Sequence, residues 1–317
     1  MEVAFGVHAI ELPLGPRISR VYLFVGSERS LLFDVGCDGD VAAHVIPYLE
    51  SIAVPVQQVE WAVVSHCDVD HFGGLGGCRE LLPYARRTAH KLDAAVMESM
   101  DEYLNLRARE FRAPHGIDEP PAVVDWLMSV GRPARIDLQI VGGEVIDLGD
   151  RSVEILHVPG HSRGHLAVRD RESGVLSISD AALGSAVPLA DGSPSFPPTY
   201  RYVEEYLETC RMLKELAFES LLTAHYPFFD AATGREFLDE SIDFANRLDD
   251  VVMDTLADAP MSLVDLVASV NERVGEWPKE GVLPALAQPV MGHVEYGIGL
   301  GRVVGVDGAV PMYRTAS

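Results

Sequence analysis

The sequence predicts an α/β fold of two strand-rich halves, packed face to face with helices outside, from three observations. Short apolar runs bounded by Gly, Asp and Pro turns recur in both halves of the chain. Amphipathic helical stretches lie between and after them, which builds layers around a shared core. Four of the apolar runs end in His or Asp, so strands deliver polar side chains into loops.

In chain order, Val3–Leu12, Ser19–Val25 and Ser30–Phe33 read as strands, with Gly-Pro and Gly-Ser-Glu-Arg as turns. Asp34-Val35-Gly36 closes the third strand, Asp38–Ile52 follows as an amphipathic helix, and Val59–Ser65 returns as a buried strand. Gly73 and Gly74 let the backbone bend into a helix over Leu75–Leu82. Arg87–His90 reads as a short strand, then Lys91–Arg112 as one long helix and Ala122–Val130 as another. Pro114, Pro120, Pro121 and Pro133 punctuate this helical insertion at about 91–135. A second strand series spans Ile136–Val141, Glu144–Asp147, Ser152–Val158, Leu166–Arg169 and Val175–Ile178. Tyr200–Phe218 reads as a helix, Ser220–Ala224 as a strand and Ala231–Asp258 as a long acidic helix. The remainder changes character: helices at Ser262–Val274 and Pro289–Gly297 precede a hairpin of Gly301–Val306 and Ala309–Tyr313 joined at Asp307-Gly308. The expected division is a catalytic domain at 1–258 and a small α+β module at 259–317.

At 317 residues the chain can hold one large domain plus an appendage. It carries 25 basic and 48 acidic residues, a formal charge of −23, which argues against nucleic acid or an anionic membrane as partner, since both need Lys and Arg at phosphates. Cys37, Cys67, Cys78 and Cys210 form no CxxC pair, the N-terminus lacks a basic region followed by an apolar core, and no apolar run reaches a membrane span. A cytoplasmic protein with reduced thiols is the expectation.

The densest chemistry lies at Ser65-His66-Cys67-Asp68-Val69-Asp70-His71-Phe72-Gly73-Gly74, where His66, Asp68, Asp70 and His71 occur within six positions after the apolar run Trp61–Val64. One such side chain alone would be a turn or capping residue. Four together are hard to explain that way, because clustered carboxylates repel unless a cation compensates them, and imidazole with carboxylate suits borderline to hard divalent metals. Three further strands end in a comparable residue: His161 after Ile155–Val158, Asp180 after Val175–Ile178, and His225 after Leu221–Ala224. Two metal ions need roughly seven or eight protein donors when positions stay open for water and substrate. His66, Asp68, Asp70, His71, His161, Asp180 and His225 supply such a set.

His66-Cys67-Asp68-Val69-Asp70-His71, Pro159-Gly160-His161-Ser162-Arg163-Gly164-His165, Ser179-Asp180 and Ala224-His225 resemble, in order, the motifs of the metallo-β-lactamase superfamily. The resemblance implies a four-layer αββα sandwich over 1–258 with the site at one edge of the two sheets. It also implies that His66, Asp68 and His161 hold one metal, that Asp70, His71 and His225 hold a second, and that Asp180 bridges them. Asp34 would orient a ligand, and His165 would play a supporting part. Asp68 departs from the family's usual His at that position, and a carboxylate there shifts preference from zinc towards iron or manganese. Residues 259–317 resemble the small winged-helix-like domain that follows some members. Their Arg273, Lys279, Arg302 and Arg314 are scattered among acids, so packing or a homodimer contact suits them better than nucleic acid.

The expected activity is hydrolysis of an ester, lactone or thioester of a small molecule by a metal-activated water, zinc being the first choice of metal. Asp70 and Asp180 would orient the nucleophile and handle its proton. The loop Ala181–Tyr202 should border the pocket, with Phe196, Tyr200 and Tyr202 against substrate. Two other classes compete: a di-iron redox enzyme resembling the flavodiiron branch, which also has a carboxylate at the Asp68 position, and a binding protein that kept the fold. Metal content discriminates the three.

Overall fold

The computed structural model describes residues 1–306 and 308–316. Seven strands form the first sheet, in chain order across it: Glu2–Ala4, Val7–Leu14, Arg17–Val25, Ser30–Phe33, Val59–Val63, Arg86–His90 and Leu138–Ile140. The first four are antiparallel and the last four parallel. The second sheet runs Phe229–Asp230, Ser220–Thr223, Val175–Ser179, Leu166–Asp170, Ser152–His157, Val145–Asp147, with Ser220–Thr223 parallel to Val175–Ser179.

Strand alternation sorts the side chains into layers. Tyr22, Phe24, Leu31, Phe33 and Val63 point inward to meet Val153, Ile155, Leu166, Val168 and Leu222 of the second sheet. Their neighbours Val21, Leu23, Leu32 and Ala62 point the other way and pack under the helices of the first half, including Leu49, Phe72 and Leu75. Ala167, Leu176, Ile178 and Leu221 do the same on the far side, beneath Val203–Glu215 and Ala231–Asp258. The result is the αββα sandwich, stitched internally where the Tyr22 hydroxyl donates to the Thr223 carbonyl at 2.6 Å.

The segment after Asp258 has helices Leu263–Asn271 and Leu283–Gly299 and a three-stranded sheet of Met261–Ser262, Met312–Thr315 and Val303–Val306. Its Leu266, Val270, Trp277, Leu286 and Val290 belong to the same apolar cluster as Leu176 and Tyr206, so it rests on the second half of the sandwich without an intervening gap. The turn expected at Asp307-Gly308 falls partly outside the described residues, although the flanking strands pair as a hairpin. No helix among the described residues is long and apolar enough to cross a membrane.

Several elements differ from expectation: the last helix begins at Leu283 rather than Pro289, the last strand is Met312–Thr315 rather than Ala309–Tyr313, and a short helix forms at Val69–Phe72. The single strand over Val3–Leu12 is a small hairpin, because Gly6 sits at φ 65° and turns the chain between Glu2–Ala4 and Val7–Leu14. The long helix over Lys91–Arg112 is a series of short turns at Ala94–Met97, Met100–Tyr103, Leu104–Ala108 and Arg112–His115. Ser99 ends the first of these: its backbone is extended at φ −150°, ψ 124°, and its side chain accepts from Glu102 N–H to cap the next.

Candidate metal centre

Each sheet contains neighbouring parallel strands whose carboxyl ends meet at one edge. Ser30–Phe33 and Val59–Val63 lead to Asp34 and His66; Val175–Ser179 and Ser220–Thr223 lead to Asp180 and His225. Asp34 and Ser179 adopt left-handed backbone, φ 67° and 48°, a strained state for residues with a side chain. Each turns the chain out of its strand at the point where the site begins. The Gly73-Gly74 bend brings backbone against backbone, since a Cβ on Gly74 would lie 2.2 Å from the Val35 carbonyl oxygen.

Asp34 is the buried hub beneath the cluster. Its Oδ1 accepts Ser65 N–H at 2.7 Å; its Oδ2 accepts the Ser65 and Ser179 hydroxyls at 2.9 and 3.0 Å and His71 Nδ1–H at 3.0 Å. His66 Nδ1–H donates to Ser65 Oγ at 2.9 Å, and His225 Nδ1–H to the Ile18 carbonyl at 2.9 Å. These bonds fix three imidazoles with Nε2 turned inward. His165 stacks on His66 at 4.5 Å and donates Nε2–H to the Ile178 carbonyl, so it supports the cluster from behind.

The inward atoms form two groups. In the first, Asp68 Oδ2 lies 3.6 Å from His66 Nε2 and 2.9 Å from His161 Nε2. In the second, His71 Nε2 lies 3.6 Å from Asp70 Oδ2 and 3.7 Å from Asp180 Oδ2, while His225 Nε2 lies 3.5 and 3.3 Å from the same two oxygens. Donors about 2.0–2.2 Å from a tetrahedral ion stand roughly 3.3–3.6 Å apart, close to these His–carboxylate distances; the mutually close donors are Asp70, His71 and His225, and Asp180 also stands close to His66 and His71. His66 Nε2, His71 Nε2 and Asp180 Oδ1 are buried with no hydrogen-bond partner among the described residues, a costly condition that a bound cation relieves.

Electrostatics point the same way. Burial disfavours a charged His71, yet Asp70, Asp34 and Asp180 outweigh it and push the imidazole up to about 10. His225 is raised too: burial opposes it and Asp180 prevails. The pocket thus demands positive charge. His66 falls to about 4, through burial and the neighbouring His71 and His161. Asp68 is held well below the usual carboxylate range: burial works against its charge and Arg107 overcomes that.

Arg107, absent from the residues chosen by sequence, is the main addition. From the Leu104–Ala108 turn its Nε and Nη2 donate to Asp68 Oδ1 and Oδ2 at 2.7 and 2.9 Å, and its Nη1 donates to the His161 carbonyl at 3.1 Å. An isolated Arg in a helical stretch carries no motif. The available signal was indirect: a third carboxylate in the cluster requires a cation from somewhere.

The cluster opens into a cavity of about 500 Å³. Asp70, Asp180 and His225 form its floor, Val69, Trp126, Leu127 and Phe196 form much of its wall, and Pro284, Ala285 and Gln288 close one side. Of the expected substrate contacts, Phe196 lines the cavity and the two tyrosines do not. Tyr200 is fully buried, its hydroxyl 2.9 Å from His293 Nε2 and its ring stacked on Tyr206. Tyr202 lies under the Arg163 guanidinium. Arg201 and Tyr202 N–H both bond the Gly160 carbonyl, which ties this stretch down and turns both rings away from the cavity.

The profile of the metallo-beta-lactamase superfamily matches residues 14–225. The chain belongs to that superfamily. Similar proteins include the acyl-coenzyme A thioesterase MBLAC2 of Gallus gallus, 28% identical over 67% of this chain and 74% of the relative, and that of Homo sapiens, 25% identical over 67% and 75%. Among solved structures, a metallo-beta-lactamase family protein from Thermus thermophilus aligns with TM-score 0.77 at 20% identity, over 99% of this chain and 100% of that one. A beta-lactamase domain protein from Burkholderia ambifaria aligns with TM-score 0.74 at 21% identity, over 100% and 94%. These two likenesses are of fold, and they run through residues 259–317 as well.

Proposed function

We propose that this chain is a metal-dependent hydrolase that cleaves the thioester bond of a small acyl substrate, releasing a carboxylate and a free thiol. The observation that carries the proposal is the opening of a carboxylate-imidazole cluster into an apolar-walled cavity of about 500 Å³. The thioesterase relatives favour a thioester over an ester or lactone. Four buried free thiols suit a reducing, cytoplasmic setting.

In this proposal Asp70, His71, Asp180 and His225 hold a divalent ion, and His66, Asp68 and His161 form the adjoining group. A bound ion acidifies a water towards neutrality and polarises the substrate carbonyl. The chain's residues do the rest. Asp34 fixes the tautomer of His71 through Nδ1, leaving Nε2 free. Asp70 and Asp180 orient the attacking water and receive its proton, which then passes to the leaving thiolate; Asp180 Oδ1 lacks a protein partner among the described residues and is available for that bond. Val69, Trp126, Leu127 and Phe196 hold the acyl chain and exclude bulk water. Two His and two carboxylates suit zinc; iron or manganese becomes competitive only where Asp68 adds a third.

The test is thiol release from a series of acyl-coenzyme A thioesters by zinc-loaded protein. Turnover is expected, with kcat/KM lowered about 10³-fold by Asp180→Asn. Thiol release no faster than that of the variant for every acyl chain length would refute the proposal.

A further inference from the structure

We infer that the cation of the His66, Asp68 and His161 group is the Arg107 guanidinium rather than a metal, so that the chain retains a single ion, at Asp70, His71, Asp180 and His225. The inference rests on the metal-dependent reading above and concerns its stoichiometry. Its first support is geometric. Arg107 takes both oxygens of Asp68 in a two-pronged bond at 2.7 and 2.9 Å, and the same Nη2 lies 3.1 Å from His161 Nε2. Two of the three atoms that a first metal would use are therefore already engaged with a fixed positive charge. Guanidinium is suited to this role: it stays protonated, and its planar fork matches a carboxylate.

The second support is how Arg107 is held. It is buried, its Nη1 bonds the His161 carbonyl at 3.1 Å, and its own carbonyl accepts Gln288 Nε2–H at 3.3 Å from helix Leu283–Gly299. The preceding Tyr103 packs edge-on against Phe72 at 5.3 Å, anchoring the turn to the loop that carries the cluster. Contacts from the first half, the insertion and the C-terminal segment thus fix this side chain in place.

The third support is the charge count. Asp68 and Arg107 balance, so the first group offers little attraction to a divalent ion, and a guanidinium beside it repels one. Around His71 stand Asp34, Asp70 and Asp180, with no Lys or Arg bonded to them among the described residues. His71 Nε2 and Asp180 Oδ1 are buried there without a hydrogen-bond partner among the described residues, whereas in the first group Asp68 and His161 Nε2 have partners and only His66 Nε2 lacks one. His66, His71 and Asp180 can also converge on one point, since each offers a donor within 4.8 Å of the others. With Asp68 neutralised, the reason to expect iron or manganese over zinc falls away.

The experiment titrates chelator-stripped protein with Co²⁺, reading visible d–d absorbance, and checks the endpoint by elemental analysis after zinc loading and desalting. Wild type and Asp68→Asn are each expected to saturate at one ion per chain, and Arg107→Met at two. A wild-type endpoint of two, or an Arg107→Met endpoint of one in folded protein, would overturn the inference. Should Arg107→Met not fold, the wild-type and Asp68→Asn endpoints decide alone. An endpoint of zero removes both the inference and the metal-dependent reading. One ion per chain without thioester hydrolysis removes only the substrate reading.

Discussion

Asp68 and Asp70 stand two residues apart at the start of the short helix Val69–Phe72 and meet opposite surroundings. Asp68 receives a two-pronged bond from Arg107, which holds its carboxyl well below the usual range despite burial. Asp70 receives no such partner among the described residues; it faces His71 and His225 at 3.6 and 3.5 Å together with a second carboxylate, Asp180. Clustered donors at suitable spacing are therefore not equivalent as metal sites, because what decides is whether the chain already neutralises them. A search by ligand spacing alone weighs both groups equally; one that includes the counter-charge does not.

The largest expected effect comes from removing a donor of the uncompensated group. His225→Ala should abolish metal retention and lower thioester kcat/KM about 10³-fold or more, checked by elemental analysis and thiol release. Comparable loss in His161→Ala, with His225→Ala mild, would reverse the ranking of the two groups.

Next is the hub. Asp34→Asn keeps the shape and loses the charge that orients His71, and should weaken metal affinity about 10- to 100-fold by competitive chelator titration. Unchanged affinity would mean that His71 is not a ligand.

pH sharpens the contrast further. Without metal, three carboxylates hold His71 protonated up to about pH 10 against the cost of burial. A raised pKa stabilises the fold fully below the ordinary imidazole value near 6.5 and loses that stabilisation as pH climbs through about 10. His225 shifts in the same direction. The Tm of stripped protein should fall from about pH 6.5 to about pH 9.5, while that of zinc-loaded protein, whose ion replaces the proton, stays flatter. Parallel Tm curves would contradict this.

The smallest effects concern the cavity. Phe196→Ala should raise KM for the longest acyl substrates about five- to tenfold and leave short ones nearly unchanged. Tyr200→Phe, which removes only the hydroxyl bonded to His293, should cost about 1 kcal/mol of stability and leave KM alone.

The layered fold was legible because apolar alternation and strand ends are local properties: Val59–Val63 and Val175–Ser179 fall where their apolar residues place them. The seven chosen His and Asp residues converge because each ends or follows such a strand. Arg107 was not legible, since its role depends on a turn that packs across the sandwich against Gln288, and nothing in its neighbours announces that contact. The broken helix over 91–112 and the inward turn of Tyr200 have the same origin. Ser99 caps where propensity would continue, and the Gly160 carbonyl pins a loop whose aromatic content had suggested a pocket wall. Periodicity reads what one segment buries, not which distant segment claims a polar group.

The most direct measurement is anomalous diffraction at the zinc absorption edge from crystals of the full chain grown with zinc. One peak per chain is predicted, within bonding distance of Asp70, His71, Asp180 and His225, with Arg107 still paired to Asp68. A peak bounded by His66, Asp68 and His161, with Arg107 displaced, would contradict it.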